Sequence, residues 1–218
     1  EKGIGTMKKA VIFDLDGTLA NTIESLTYCG NRALRKFGLP EFEEADYKYF
    51  VGDGAAVLVR RALDKAGDTG LIHFEEYSRL FEKDCMYHVR PYEGIRELLE
   101  ELKKRQIRIA VLSNKAHENS IQVAETLFGA GYFDWIQGQM GGVPKKPDPT
   151  GVYQIQKKLG LPKEAFLYTG DTSVDMKTGK AAGMFTVGVL WGFRDRQELE
   201  ENHADVIIER PAELLSLL

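Results

Sequence analysis

VIFDLDGTLA, residues 11–20, is an apolar run that ends in two acids one position apart. Val11, Ile12 and Phe13 want burial, whereas Asp14 and Asp16 are among the side chains least often buried without a partner. Gly17 follows at once and lets the backbone turn sharply. A core strand that stops in paired carboxylates reads as the place where a sheet ends and a ligand site begins. Leu15 sets the two acids one position apart, so in extended chain both can lean to the same side.

The same grammar recurs along the chain. Short apolar runs at 10–14, 107–113, 133–137, 165–169, 185–190 and 205–208 read as strands. Amphipathic stretches at 94–105, 117–128, 150–159 and 173–182 read as helices between them. Strands alternating with helices predict an α/β fold, a Rossmann-like parallel sheet with helices on both faces. Ligands bind such sheets beyond the carboxyl ends of the strands, which puts Asp14, Ser113 and Asp171 along one edge.

The alternation breaks between about residues 21 and 89, where no strand is evident and helical periodicity is punctuated near Gly38, Gly52 and Gly67. Ile23, Leu26, Ala33, Leu34 and Phe37 keep near-helical spacing and then stop at Gly38 and Pro40. A helical insert of this length can form a small bundle of its own. The expected division is a core of residues 7–19 and 91–218, and a helical cap of residues 20–90 lying over the site. Residues 1–6, before Met7, read as a leftover of expression.

Four motifs follow strand-like segments: Asp14-Leu15-Asp16-Gly17-Thr18; Ser113-Asn114-Lys115; Lys145-Lys146-Pro147; and Gly170-Asp171 with Asp175 four positions beyond Asp171. Carboxylates converging at one edge repel strongly unless a cation sits among them. Oxygen donors without Cys or His suit Mg²⁺ rather than Zn²⁺. A Ser hydroxyl, a Lys ammonium and backbone N–H groups make a phosphate cradle. Taken singly each motif has an ordinary reading: a turn, a helix cap, a solvated Lys pair, a surface acid. Their joint order, each beyond an apolar strand, points to phosphoryl transfer through a carboxylate nucleophile.

A net charge of −4 argues against a general nucleic-acid or membrane-surface binder. No apolar run reaches membrane-span length. Cys29 and Cys85 match no metal or redox spacing and read as reduced thiols of a cytoplasmic protein.

The order D-x-D-G-T, S-N, K-P, G-D-x-x-x-D resembles the haloacid dehalogenase-like hydrolase superfamily over residues 7–218, and the helical insert resembles its C1 cap. GNRALRKFGLP, VGDGAAVLVRRAL, GDTSVDMKTGKAAGM and GVLWGF look most like its phosphoglycolate phosphatase branch. The resemblance implies a Mg²⁺-dependent phosphatase of a small phosphorylated metabolite, 2-phosphoglycolate being the best single candidate, in a monomer or homodimer. It makes Asp14 the nucleophile and Asp16 the acid and base. Asp14, Asp16 (through its backbone carbonyl), Asp171 and Asp175 surround the metal, with Asp175 on a bound water or farther out. Ser113, the Asn114 N–H and Lys146 hold the phosphoryl group, the K-P-x-P frame selecting Lys146 over Lys145. Gly17 and Thr18 shape the turn and steady the intermediate.

In relatives a cap loop reaches the site and helps choose the substrate, so Gly52, Asp53 and Gly54 are the specificity candidates, against a plain helix-to-helix turn. Arg60 and Arg61 read as helix surface or cap packing, and Phe50, Tyr77 and Phe81 as core. His73, His88, His117 and His203 have no spacing that demands a metal. Alternatives to the phosphatase are a β-phosphoglucomutase-like mutase, a pyrophosphatase or a non-catalytic binding protein. Dehalogenation is disfavoured because those relatives lack the second acid. Phosphonate cleavage needs a cap lysine that is not identified. Gly179 stands where relatives commonly carry Ala, at a helix cost expected to be under about 1 kcal/mol.

Overall fold

The computed structural model describes residues 7–83 and 86–218; residues 1–6 and Cys85 lie outside the described residues. Strand β1 (Ala10–Phe13) is buried at all four positions. Its side chains serve opposite faces of the sheet, as strand geometry requires. Val11 and Phe13 join an apolar cluster with Ile95, Leu98 and Val123, whereas Ala10 and Ile12 join another with Val152, Ile155 and Met184.

The remaining strands are β2 (Ala20–Asn21), β3 (Arg90–Pro91), β4 (Arg108–Ala116), β5 (Trp135–Gln139), β6 (Phe166–Gly170), β7 (Phe185–Val189) and β8 (Val206–Ile208). Six of them form one sheet in the order β5-β4-β1-β6-β7-β8, every pair parallel. The chain winds from β1 toward β4 and β5, then returns to build β6, β7 and β8 on the other side. The strand order therefore reverses at β1, and the crevice of a switch point opens beyond its carboxyl end. Asp14 is the first residue past that end.

Nine α-helices are present among the described residues. Four lie in the insert: α1 (Ile23–Lys36), α2 (Glu44–Phe50), α3 (Ala55–Ala66) and α4 (Phe74–Glu82). Five flank the sheet: α5 (Ile95–Lys104), α6 (His117–Phe128), α7 (Thr150–Leu159), α8 (Ser173–Ala181) and α9 (Arg196–Glu201). The insert helices enclose an apolar cluster of their own, including Leu34, Tyr47, Leu58, Leu63 and Tyr77, to which only Phe193 is contributed from the sheet side.

Three features depart from the sequence pattern. Where the insert leaves and rejoins, β2 and β3 form a short antiparallel pair, so the insert's ends are tied by backbone bonds rather than running as plain loops. Helix α9 and a 3-10 helix at Pro211–Leu217 close the carboxyl-terminal side; both are too short to carry a clear period. Strand β4 runs on to Ala116, with its pairing to β5 irregular between Leu112 and Ala116.

Gly179 is not the mild helix defect that composition suggests. A Cβ there would lie 2.4 Å from Thr186 Cγ2 and 3.1 Å from Tyr168 Cβ, so glycine is what lets α8 approach the sheet. Close packing, not helix propensity, decides this position.

Candidate active site

Each motif sits at the carboxyl edge because its strand ends there. Asp14 N donates to Thr169 O at 2.9 Å, extending the β1–β6 ladder one residue past the strand. The Asp14 side chain is thus presented at the sheet edge, and Leu15 N donates to its Oδ1 at 2.7 Å. The chain then turns at Gly17, with φ +86°, a left-handed value that favours glycine. A Cβ at Gly17 would lie 2.2 Å from Asp171 Oδ2, so the turn packs directly on the fourth motif.

Asp14, Asp171 and Asp175 form one buried cluster, with a carboxylate oxygen from each lying within 4.8 Å of the others. Lys146 Nζ stands 3.0 Å from Asp14 Oδ1 and donates to Asp175 Oδ1 at 2.8 Å. Asp175 Oδ2 accepts from Asp171 N, Thr172 N and Thr172 Oγ1 at 3.1–3.2 Å, the box that starts α8. Asp171 accepts from Thr18 Oγ1 at 3.0 Å and from Phe193 N at 2.9 Å.

Burial pushes the Asp14 carboxyl well above its ordinary range; Asp175 adds to the rise and Lys146 opposes it. Burial and the charge of Asp175 likewise push Asp171 up to about 7. For Lys146, burial works against the charged form, but Asp14 and Asp175 outweigh it and hold the ammonium charged well beyond its usual range. With all three ionised, the buried carboxylates would carry more negative charge than one ammonium offsets, and the raised values of Asp14 and Asp171 express burial and that repulsion. Oxygen donors so arranged fit a hard divalent cation, which would relieve the repulsion.

The geometry gives each expected residue its partners. The Asp16 carboxylate is not part of the cluster; it is held by Lys115 Nζ at 3.1 and 3.3 Å. Asp175 brings an oxygen to the cluster, and Lys146 and three donors occupy its carboxylate. Thr18 is fully buried, and its hydroxyl donates to Asp171. Asn114 contributes more than a backbone N–H. Its side chain donates to Lys146 O at 3.0 Å and Gly52 O at 3.2 Å, and accepts from Lys146 N at 2.8 Å. One amide thereby joins the second motif, the third motif and the insert.

A cleft between sheet edge and insert is floored by Asp14, Asp16, Ser113 and Asn114 and roofed by Leu26, Val51, Leu58 and Phe81. Gly52 and Gly54 line it; Asp53 does not, its carboxylate being paired with Arg61 at 2.7 Å. Phe81, expected as core alone, also borders the cleft, while Phe50 and Tyr77 stay within the insert's cluster. Lys145 donates to Asp53 O at 2.7 Å, leaving Lys146 as the lysine of the cluster. Arg60 is exposed and stacks over Phe74, as a surface position would. His73 pairs with Asp68, His88 with Glu24, and His117 accepts from Gly138 N.

Two contributors escaped sequence reasoning. Lys115 stands in the second motif, but nothing in the sequence gives it a partner. Arg194 donates to the carbonyls of Lys48, Tyr49 and Val51 and pairs with Glu198, fastening the carboxyl end of α2 to the core. Its only signal was its place just after GVLWGF.

Comparison with known proteins agrees with this arrangement. Residues 11–189 match the model of the haloacid dehalogenase-like hydrolases. A phosphoglycolate phosphatase of Aquifex aeolicus is 33% identical, the match covering 96% of this chain and 96% of that protein. One from Haemophilus influenzae is also 33% identical, with 99% and 100% covered. The crystal structure of a candidate phosphoglycolate phosphatase from Lactobacillus delbrueckii subsp. bulgaricus superposes with a TM-score of 0.88 at 30% identity, covering 97% of this chain and 98% of that one. With the match running from β1 to β7 and the whole chain paralleled in length, the protein belongs to the haloacid dehalogenase-like hydrolase family.

Proposed function

We propose that the protein is a Mg²⁺-dependent phosphatase of small phosphomonoesters, with 2-phosphoglycolate the best single substrate, working through an aspartyl-phosphate on Asp14. The observation that carries this reading is Asp14 itself: buried, backed by Lys146 at 3.0 Å, and set in a cluster of oxygen donors at the floor of a cleft. The similarity to phosphoglycolate phosphatases along nearly the full chain supports the choice of substrate.

Leu15 N and Lys146 both hold Asp14 Oδ1, so Oδ2 is the oxygen for attack on phosphorus. Ser113 and the backbone beside Asn114 orient the phosphoryl group, and Lys146 offsets its charge as the Oδ2–P bond forms. Asp16 gives its proton to the departing ester oxygen as that P–O bond breaks, then takes one from the water that cleaves the intermediate. Transfer of this kind contributes about 10²- to 10⁴-fold. Inorganic phosphate leaves and Asp14 is regenerated. Held by Asp14, Asp171 and the Asp16 carbonyl, with Asp175 beside them, Mg²⁺ would supply Lewis-acid neutralisation of charge on the phosphoryl oxygens.

Residues 20–90 serve as the cap and residues 7–19 with 91–218 as the catalytic core, a division supported by the insert's separate apolar cluster. The apolar roof excludes bulk water during chemistry. Phosphate release from p-nitrophenyl phosphate and 2-phosphoglycolate with Mg²⁺ tests the reading. Asp14→Asn is expected to lower kcat by at least about 10⁴-fold. Turnover retained in that variant would sink the mechanism.

A further inference from the structure

Floor and roof of the cleft meet at a single cation. Among the described residues that line it, Lys115 alone is positively charged, whereas Asp14, Asp16 and Glu82 are acidic. Lys146, Arg61 and Arg194 do not line it: Lys146 is held between Asp14 and Asp175, Arg61 by Asp53 and Phe50 O, and Arg194 by carbonyls of the insert. Lys115 leaves the sheet where β4 pairs irregularly with β5, a local distortion of the kind that re-aims a side chain. Its ammonium grips both oxygens of Asp16, and each of the two side chains is only 11% exposed.

We propose that Lys115 is the specificity-determining residue of the site: it binds a carboxylate of the substrate, exchanging Asp16 for it while the phosphoryl group lies against Asp14. This assignment rests on the phosphatase reading above. A second anionic group brought under Leu26, Val51, Leu58 and Phe81 loses its water and is unfavourable unless paired. The three acids of the lining repel it, so only Lys115 can compensate it. The Lys115 ammonium is already withdrawn from solvent, so the exchange adds little desolvation of the lysine, and the released Asp16 becomes neutral by taking up the proton that it gives to the departing oxygen.

Geometry limits the substrate as well. Asp14 and Asp16 are two residues apart, a span of at most about 7 Å. Asp14, Asp16 and Lys115 line the same cleft, so an anion that takes the place of Asp16 on Lys115 lies in the same enclosure as the phosphoryl group on Asp14. A short phosphorylated acid carries both anionic groups that this arrangement pairs, one for Asp14 and Lys146 and one for Lys115.

The test compares kcat/KM for 2-phosphoglycolate and for isobutyl phosphate, whose branch has the shape of the carboxylate without its charge. The full chain with Mg²⁺ is used as wild type, Lys115→Met and Lys115→Arg. Wild type is expected to prefer 2-phosphoglycolate. Lys115→Met lowers that preference about 30-fold or more, mainly through KM, as loss of a charged hydrogen-bond partner does. Lys115→Arg restores most of it.

An equal fall on both substrates means that Lys115 acts only through Asp16 and overturns the proposal, as does a wild type without preference. Should Lys115→Met melt much below wild type, Lys115→Gln takes its place. Calorimetric binding of 2-phosphoglycolate to Asp14→Asn protein, with and without Lys115→Met, reads the same loss without chemistry. Absent turnover with that difference in binding intact counts against the phosphatase reading alone; no difference in binding overturns the assignment of Lys115.

Discussion

Floor and roof of the cleft are built on opposite principles. The floor rests on a polar lattice in which each carboxylate is held by a named donor: Asp14 by Leu15 N and Lys146, and behind it Asp171 by Thr18 and Phe193 N, Asp175 by Lys146 and the start of α8. The roof is apolar, packed around its own cluster, and fastened to the floor largely through backbone carbonyls. Arg194 takes those of Lys48, Tyr49 and Val51, Asn114 that of Gly52, and Lys145 that of Asp53. The floor depends on what its residues are, whereas the seating of the roof depends on where its backbone runs. Damage to the floor should therefore strike chemistry and folding together, while damage to the fastening should strike substrate capture.

After loss of the nucleophile itself, the largest effect is expected from Lys146→Met. It leaves Asp14 and Asp175 buried without their common counter-charge, at about 3–5 kcal/mol of stability in metal-free protein. It also removes a charge aimed at the phosphoryl group, worth about 10²- to 10³-fold in kcat. Urea unfolding with a chelator, alongside phosphate release, measures both. A stable variant with normal turnover would break the distinction between floor and roof.

The floor also predicts a dependence on pH. Asp171 keeps its proton in the folded, metal-free protein up to about 7, whereas the unfolded chain releases it near 3.8. Between these values the unfolded state binds fewer protons, so the contribution of Asp171 to stability falls as pH rises from about 4 to about 7 and is flat above. The stability of wild type minus that of Asp171→Asn, measured with chelator, should decline across this window. Mg²⁺ should raise the melting temperature of wild type at pH 7, because ligand binding to the folded state stabilises it. A difference between the two proteins that ignores pH counts against the assignment.

Gly179→Ala, on the sheet side and away from both halves of the cleft, should separate packing from chemistry. The added methyl meets Thr186 and Tyr168, and overpacking of this kind costs about 1–3 kcal/mol despite the better helix propensity of Ala. Thermal unfolding should register the loss, with kcat unchanged below the transition. Smallest is the expected effect of Arg194→Ala: KM up by about 5-fold with kcat nearly preserved, read from initial rates. A fall in kcat as large as that of Lys146→Met would show that the fastening belongs to the chemistry.

Much of the fold was legible in the sequence because strand and helix periodicities are local. The expected helix limits at 117–128 and 150–159 coincide with α6 and α7, and all six expected strands are present in the parallel sheet. The β2–β3 pair was not legible, since two residues on each side carry no period and their partner lies some seventy positions away. The four motifs were legible as an ordered set of acids, hydroxyl and lysine. The commitment of Thr18 to Asp171 was not, because that bond spans 153 positions and depends on β6 lying beside β1.

By itself, the sequence determined which chemical groups stand at the sheet edge and in what order the chain delivers them, since apolar runs, turns and motif residues act within a few positions. Only the tertiary structure decided how those groups share their charges. Asp175 joins Asp14 around Lys146, whereas Asp16, two residues from Asp14, turns to Lys115 across 99 positions. That division depends on strand order and on the irregular end of β4, long-range properties that local pattern does not contain. The same end of β4 gives the cleft its single lining cation among the described residues, and with it the basis for choosing a substrate.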